Sequence, residues 1–271
     1  MQKGTSNEWL SEAGFGICRM PALPLYREPV PGSGMSSQLL FGERYRIVRR
    51  TIEGDWLFSI GENQAGSGWM LASQHHGLEE SEYEQLGQMA LHVTSSPVSQ
   101  VIWEKMPLYL LPGSQLHADR NELFDWAASF SFTGESRPFS ENVTRKQLVT
   151  IATTFLHAPY LSGGRSLFGL FDGSWLQLVF KIGGYRVPNY LSEWLTAGEE
   201  VGLSGIQAGD VVIFGNEQGI PVQAGLYAGQ GQLLRIDGKV RLLDFDPENW
   251  RKAKNKSRYA QVLHVKNLMK K

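Results

Sequence analysis

Short apolar runs separated by turn residues fill the first quarter of the chain. They fall at Ile17 to Met20, Leu23 to Tyr26, Leu39 to Phe41, Tyr45 to Val48, Trp56 to Ile60 and Gly68 to Ala72. Runs this short and this closely spaced predict the strands of a small antiparallel barrel. The acidic stretch Glu79 to Leu86 predicts a linker helix or turn. A second β-rich segment follows, with strands predicted over Ala90 to Thr94, Gln100 to Trp103, Leu108 to Leu111 and Glu122 to Phe132, interrupted by Pro97, Pro107 and Pro112. Its aromatic residues Trp103, Tyr109, Phe124, Trp126, Phe130 and Phe132 fit a barrel core better than a ligand-binding face.

Beyond Thr144 the period changes from two to about 3.6. Leu148, Val149, Ile151, Ala152, Phe155 and Leu156 recur at helical spacing behind a capping box formed by Thr144 and Gln147, and Pro159 sets the end. A second apolar helix is predicted over 174–182, carried by Leu176, Val179 and Phe180 and stopped by Gly183 and Gly184. Five closing runs, Val211 to Phe214, Gln223 to Ala228, Leu233 to Ile236, Val240 to Leu243 and Tyr259 to His264, predict an antiparallel sheet. The fold class is α+β in three parts: residues 1–76 as a small β-barrel, 77–141 as a second β segment, and 142–271 as helices packed on an antiparallel sheet. A chain of 271 residues is long enough for two or three such parts.

Composition removes several function classes. With 42% hydrophobic and 20% charged residues and a formal net charge of -1, the chain carries no footprint for nucleic acid or an anionic membrane. No run is long and apolar enough to predict a membrane span, and the N-terminus lacks the apolar core of a secretory signal. The expectation is a cytoplasmic protein, or an exported one whose leader has been removed. The single cysteine, Cys18, excludes an internal disulfide framework and reads as a buried strand residue. His75 and His76 lack neighbours at ligand spacing, so no metal site is expected there. His157, before Pro159, reads as a residue of a last helical turn.

The chemistry-bearing stretch runs from Ala158 to Gly184. Two glycine-rich turns bracket a short polar run ahead of the second helix, which places Asp172, Gly173 and Ser174 at a helix N-terminus, where a thiolate or an anion is best stabilised. Tyr160, Leu161, Ser162, Gly163 and Gly164, followed by Asp172, Gly173, Ser174 and Trp175, resemble the two motifs Tyr-x-Trp-Gly-Gly and Asp-Cys-Ser-Gly of the NlpC/P60 family, papain-like peptidases that cut bacterial peptidoglycan peptides. Downstream, Gly209 to Phe214 resembles the family's Gly-Asp-Leu-x-x-Phe strand. Val222 to Tyr227 resembles the strand of its catalytic His, and Leu233 to Arg241 the strand of its third polar residue. Pro188 and Asn189 match a Leu-Pro-Arg turn with Asn for Arg, and Gly198 matches the glycine that ends the next helix.

Carried onto these positions, the resemblance implies a triad replaced throughout. Gly173 stands where the Cys belongs, Gln223 where the His belongs and Arg235 at the third position. Glycine cannot attack a carbonyl, an amide cannot shuttle a proton near neutral pH, and a guanidinium stays protonated. The expectation is therefore a catalytically inactive member requiring no cofactor. Ser174 reads as the N-cap of its helix and not as a substitute nucleophile.

Ser36 to Glu43, Asp55, Trp56, Gly68 and Trp69 resemble the bacterial SH3 domains that commonly precede this peptidase domain, so the resemblance implies two SH3-like barrels ahead of a papain-like NlpC/P60 domain. Ser67 and Gly34 or Ser37 stand where such domains place the Tyr and the acid that hold a peptide's free amino end. The candidate ligand-binding residues are Tyr160, Asp172, Ser174 and Arg235, with a cell-wall peptide, glycan or protein as partner. A hydrolase of altered chemistry using Ser174, Tyr160, Asp172 or Arg235 is one alternative. The other is a structural protein whose groove is filled by Trp175, Ile236 and Asp237.

Overall fold

The computed structural model describes residues 9–62, 65–103, 105–118, 131–188, 190–246 and 261–269. The N-terminal part is one seven-stranded antiparallel sheet of β1 (Trp9–Ile17), β2 (Ala22–Tyr26), β3 (Met35–Leu40), β4 (Arg44–Thr51), β5 (Trp56–Gly61), β6 (Ser67–Leu71) and β7 (Gly77–Leu78), in the order β3-β2-β6-β5-β4-β1-β7. Period-two alternation drives Leu23, Leu25, Tyr45 and Ile47 inward against Leu39, Leu57 and Met70. The first strand lies earlier than predicted and ends at Ile17. Cys18 is buried in this core but just past the strand, its thiol donating weakly to the Met20 and Leu39 carbonyls. Burial pushes that thiol up to about 12, so it is inert.

The linker helix is α1 (Glu80–Gln88), closed at its start by a bond from the Glu79 N–H to the Glu82 carboxylate at 2.9 Å. The next strands are β8 (Ala90–Thr94), β9 (Ser99–Trp103), β10 (Met106–Leu110), β11 (Gln115–Ala118), β12 (Phe132–Thr133) and β13 (Ser136–Pro138). They form two three-stranded sheets, β10-β9-β12 and β11-β8-β13. β11 was not expected, because Gln115 and His117 interrupt its apolar pattern. Of the aromatic set, Phe124, Trp126 and Phe130 lie outside the described residues, as does most of the strand predicted over Glu122 to Phe132. Phe132 packs against a small core of Phe41, Val101, Leu110 and Leu116, and Trp103 receives the Arg19 guanidinium at 5.0 Å. Tyr109 is exposed, against the core expectation.

The C-terminal part opens with α2 (Arg145–Thr153). Thr144 Oγ1 accepts the Gln147 N–H, and the Gln147 side chain accepts the Thr144 N–H at 2.9 Å. The helix stops six residues before Pro159, so His157 is not in its last turn. It sits beyond it with φ 71°, and its N–H bonds to the Val240 carbonyl. A hairpin of β14 (Arg165–Ser166) and β15 (Gly169–Leu170) leads into α3 (Asp172–Ile182). After a short 3-10 segment at Leu191–Leu195, where a helix ending at Gly198 was expected, come β16 (Glu199–Glu200), β17 (Val211–Gly215), β18 (Pro221–Gly229), β19 (Gln232–Asp237), β20 (Lys239–Asp244) and β21 (Gln261–Asn267). They form one antiparallel sheet, β16-β21-β17-β18-β19-β20. Asn189 and Tyr259 fall outside the described residues.

Every residue of α3 from Gly173 to Ile182 is buried. Such a helix has no solvent face. It packs Trp175, Leu176, Val179 and Phe180 into a core shared with Leu148 and Phe155 on one side and Ala224, Leu226, Leu234 and Ile236 on the other.

The three parts meet in a buried charge cluster. Glu43, in the turn between β3 and β4, receives both Arg165 nitrogens at 2.7 and 2.8 Å and the Lys181 ammonium at 2.5 Å. Lys181 also donates to the Gly113 carbonyl, and Gln177 accepts from Arg165. Burial opposes the Glu43 charge, but Arg165 and then Lys181 prevail and hold the carboxyl at about 2. Burial, assisted by Arg165 and opposed by Glu43, lowers Lys181 to about 8.

Candidate functional site

The glycine-rich turns present α3 to the N-terminal sheet. Gly163 has φ +74°, and a Cβ there would stand 2.5 Å from the Met35 carbonyl oxygen, so glycine lets this turn lie directly on β3. Two residues on, the Gln38 side chain accepts the Arg165 N–H at 2.8 Å, fixing the turn to the same strand.

The turn then delivers Asp172, Gly173 and Ser174 as the first three residues of α3, behind Phe171 in the N-cap position. Ser174 is thus the third helical residue and not the cap. Its hydroxyl accepts the Phe171 N–H at 3.2 Å and lies 2.6 Å from the Gly164 carbonyl and 2.8 Å from that of Phe171. It is 5% exposed and tied to backbone on both sides.

Gln223, from β18, brings its amide to the same end of α3. Its Nε2 donates to Asp172 Oδ1 at 3.3 Å and to the Ile236 carbonyl. Burial raises the Asp172 carboxyl to about 6, against the opposing pull of the Gln223 bond and the Arg235 charge. Arg235 alternates along β19 with Leu234 and Ile236, which enter the core with α3, and its guanidinium lies over the Phe214 ring at 5.6 Å. Gly173, Gln223 and Arg235 are all buried.

The expected groove fillers go elsewhere. Trp175 is fully buried in the main core, Ile236 joins it, and Asp237 is exposed. Tyr160, by contrast, is 48% exposed, with its N–H bonded to the Gly238 carbonyl. Around it the turns expose Leu161, Phe168 and Phe171, with Phe168 at 73%. These three were missed in the sequence, where the available signal was apolar residues inside a glycine-rich stretch, outside any strand or helix period.

The histidines have other partners. His75 meets the Tyr45 hydroxyl at 3.0 Å, His76 stacks edge-on with Trp103, and His264 pairs with Glu200 at 3.1 Å. His117 is wedged between the Leu86 and Gly42 carbonyls. His92 lines a cavity far along the chain from Gly173, and His157 is exposed. Among the described residues no three His, Cys, Asp or Glu side chains gather as a metal site, and no described helix is long and apolar enough to cross a membrane.

Residues 157–259 match the family model of the NlpC/P60 family. The chain is 28% identical over 216 residues to a gamma-D-glutamyl-L-lysine dipeptidyl-peptidase of Bacillus subtilis, covering 74% of this chain and 71% of that protein. Its fold is like that of an NlpC/P60 family protein from Bacillus cereus, with a TM-score of 0.78 at 16% identity over 94% of this chain and 100% of that one. An NlpC/P60 endopeptidase from Photobacterium damselae gives a TM-score of 0.70 at 15% identity, over 94% of this chain and 73% of that one.

Proposed function

We propose that this chain, which carries an NlpC/P60 domain over residues 157–259, is a non-catalytic relative of the peptidoglycan peptidases that binds a cell-wall peptide, glycan or protein partner without cutting it. The observation that carries this reading is the start of α3. The position presented to the helix N-terminus is Gly173, beside a Gln223 whose amide is engaged with Asp172 and Ile236. Cysteine-peptidase chemistry needs a thiolate, an imidazole to ionise it and a group to orient that imidazole. Gly173, Gln223 and Arg235 supply none of the three.

Ser174 does not replace the thiol, since its hydroxyl is buried between the Gly164 and Phe171 backbones. What the domain keeps is a rim of exposed rings, Tyr160, Phe168 and Phe171, suited to stacking on a sugar face or gripping a peptide. In this reading the N-terminal sheets are SH3-like modules, and Ser67 together with Gly34 or Ser37 marks the loss of the amine-holding groups along with the triad.

The test is an assay of purified protein on L-Ala-γ-D-Glu-diaminopimelate peptides, paired with a pull-down on insoluble peptidoglycan. No turnover is expected, together with retention that weakens several-fold in Tyr160→Ala and Phe168→Ala. Turnover abolished by a substitution at Asp172 or Ser174 would overturn the reading. A screen of esters and amides with Ser174→Ala as control addresses a hydrolase of altered chemistry.

A further inference from the structure

A cavity of about 710 Å³ opens at the far end of α3, between that helix's carboxyl end and the sheet β11-β8-β13. Eleven residues separate Gly173 from Gly184, which places the two sites roughly 16 Å apart along the helix. The cavity volume is that of a site for a small organic ligand. Its apolar wall is Leu91, Phe139 and Leu268, with the Tyr185 ring beside them.

The polar groups on the wall are of one kind. The charged or chargeable side chains among the described lining residues are Arg186 and His92, with Ser140 and Asn142 adding neutral donors, and none of those described residues is a carboxylate. A helix carboxyl end would ordinarily favour a cation, but here its carbonyls are already engaged. Arg137 donates to the Ile182 carbonyl at 2.9 Å, the Gly184 N–H to the Lys181 carbonyl at 3.0 Å and the Val143 N–H to the Gly183 carbonyl at 3.0 Å. The Tyr185 hydroxyl is spent on the Val143 carbonyl at 2.6 Å. Arg186 is exposed and lies with its guanidinium over the Phe139 ring at 5.4 Å, an arrangement that stacks its face on an apolar surface and leaves its N–H edge for a planar anion.

We propose that this cavity binds a carboxylate-bearing ligand with an apolar body, the carboxylate paired with Arg186 and the body seated on Leu91, Phe139 and Leu268. The second β segment then forms one wall of a binding site as well as joining the parts on either side of it. This site is separate from the exposed rings around Tyr160 and stands or falls independently of them.

Calorimetric titration with octanoate and with N-acetyl-leucine tests the site, with octylammonium as the probe of opposite charge. Saturable binding of at least one carboxylate is expected, weakened at least tenfold in Arg186→Glu and lost in Ser140→Trp, which fills the mouth from an exposed position. Tyr160→Ala, which tests the exposed rim, should leave it unchanged. The proposal is overturned if neither carboxylate saturates below about 10 mM, if octylammonium binds as tightly, or if Arg186→Glu binds like the parent chain.

Discussion

Glu43 of the N-terminal sheet and Arg165 of the C-terminal part form a bidentate pair at 2.7 and 2.8 Å with neither side chain more than 2% exposed. Lys181 makes the arrangement asymmetric: two cations share one carboxylate.

Removing the carboxylate should therefore cost far more than removing the second cation. Glu43→Gln strands two buried positive charges and should destabilise the chain by about 3–5 kcal/mol. Lys181→Met leaves the Arg165 pair intact; it orphans the Gly113 carbonyl but also removes an ammonium that burial disfavours, so a net change within about 1 kcal/mol is expected at neutral pH. Urea unfolding of both variants checks the order, and equal losses would contradict it.

The same cluster sets two pH windows. Glu43 is depressed to about 2 in the fold, so its contribution is present above its ordinary value near 4.5 and is lost as pH falls toward 2. Lys181 is also depressed, to about 8, so the unfolded chain binds the extra proton and stability contributed at this site rises between about 8 and 10.5. Thermal melts against pH should show that alkaline rise in the parent chain and not in Lys181→Met.

Asp172 carries the opposite sign. Burial lifts its carboxyl from 3.8 to about 6, so its contribution is complete below 3.8 and lost as pH rises through about 6. Asp172→Asn should stabilise the chain by roughly 1–2 kcal/mol at pH 8 and change little at pH 3.5. Melting temperatures at the two pH values measure the difference.

Restoring the thiol alone should not restore cleavage. Gly173→Cys places a thiol at the start of α3, but Gln223 supplies no base, and turnover on the diaminopimelate peptide should stay at least ~10⁴-fold below that of an active relative. Peptide cleavage by that single variant would show that the buried amide is not the limit.

Gly163→Ala tests the seam between β3 and the turn. The added methyl meets the Met35 carbonyl at 2.5 Å in a left-handed backbone conformation, so a loss of about 2 kcal/mol or more is expected in urea unfolding.

Much of this was legible in the chain. The β18 and β19 runs, the Thr144 capping box and the Gly183–Gly184 stop follow from local periodicity and turn chemistry, which the fold preserves. Gly173, Gln223 and Arg235 were singled out by their order along the resembling stretches; the fold buries all three and brings the Gln223 amide to Asp172 at the start of α3. Hidden from view was everything that depends on partners distant in sequence. Lys181 sits in an apolar helix with no polar face, a signal that it needed a buried counter-charge, yet nothing local names Glu43, 138 residues away. Ser174 was misplaced by three positions because its serine fits a cap and a capping box equally well, and only the backbone angles of Phe171 decide between them. Arg235 reads as a candidate for an anion, while its neighbour Phe214 comes from a different strand.

A helix with no wet side has a mechanical consequence. Because α3 is enclosed from Gly173 to Ile182 and bonded through Lys181 to Glu43 and Gly113, none of the three parts can come away without flooding it. The chain should accordingly melt in one transition, and its slowest-exchanging amides should lie along this helix and not in the outer sheets.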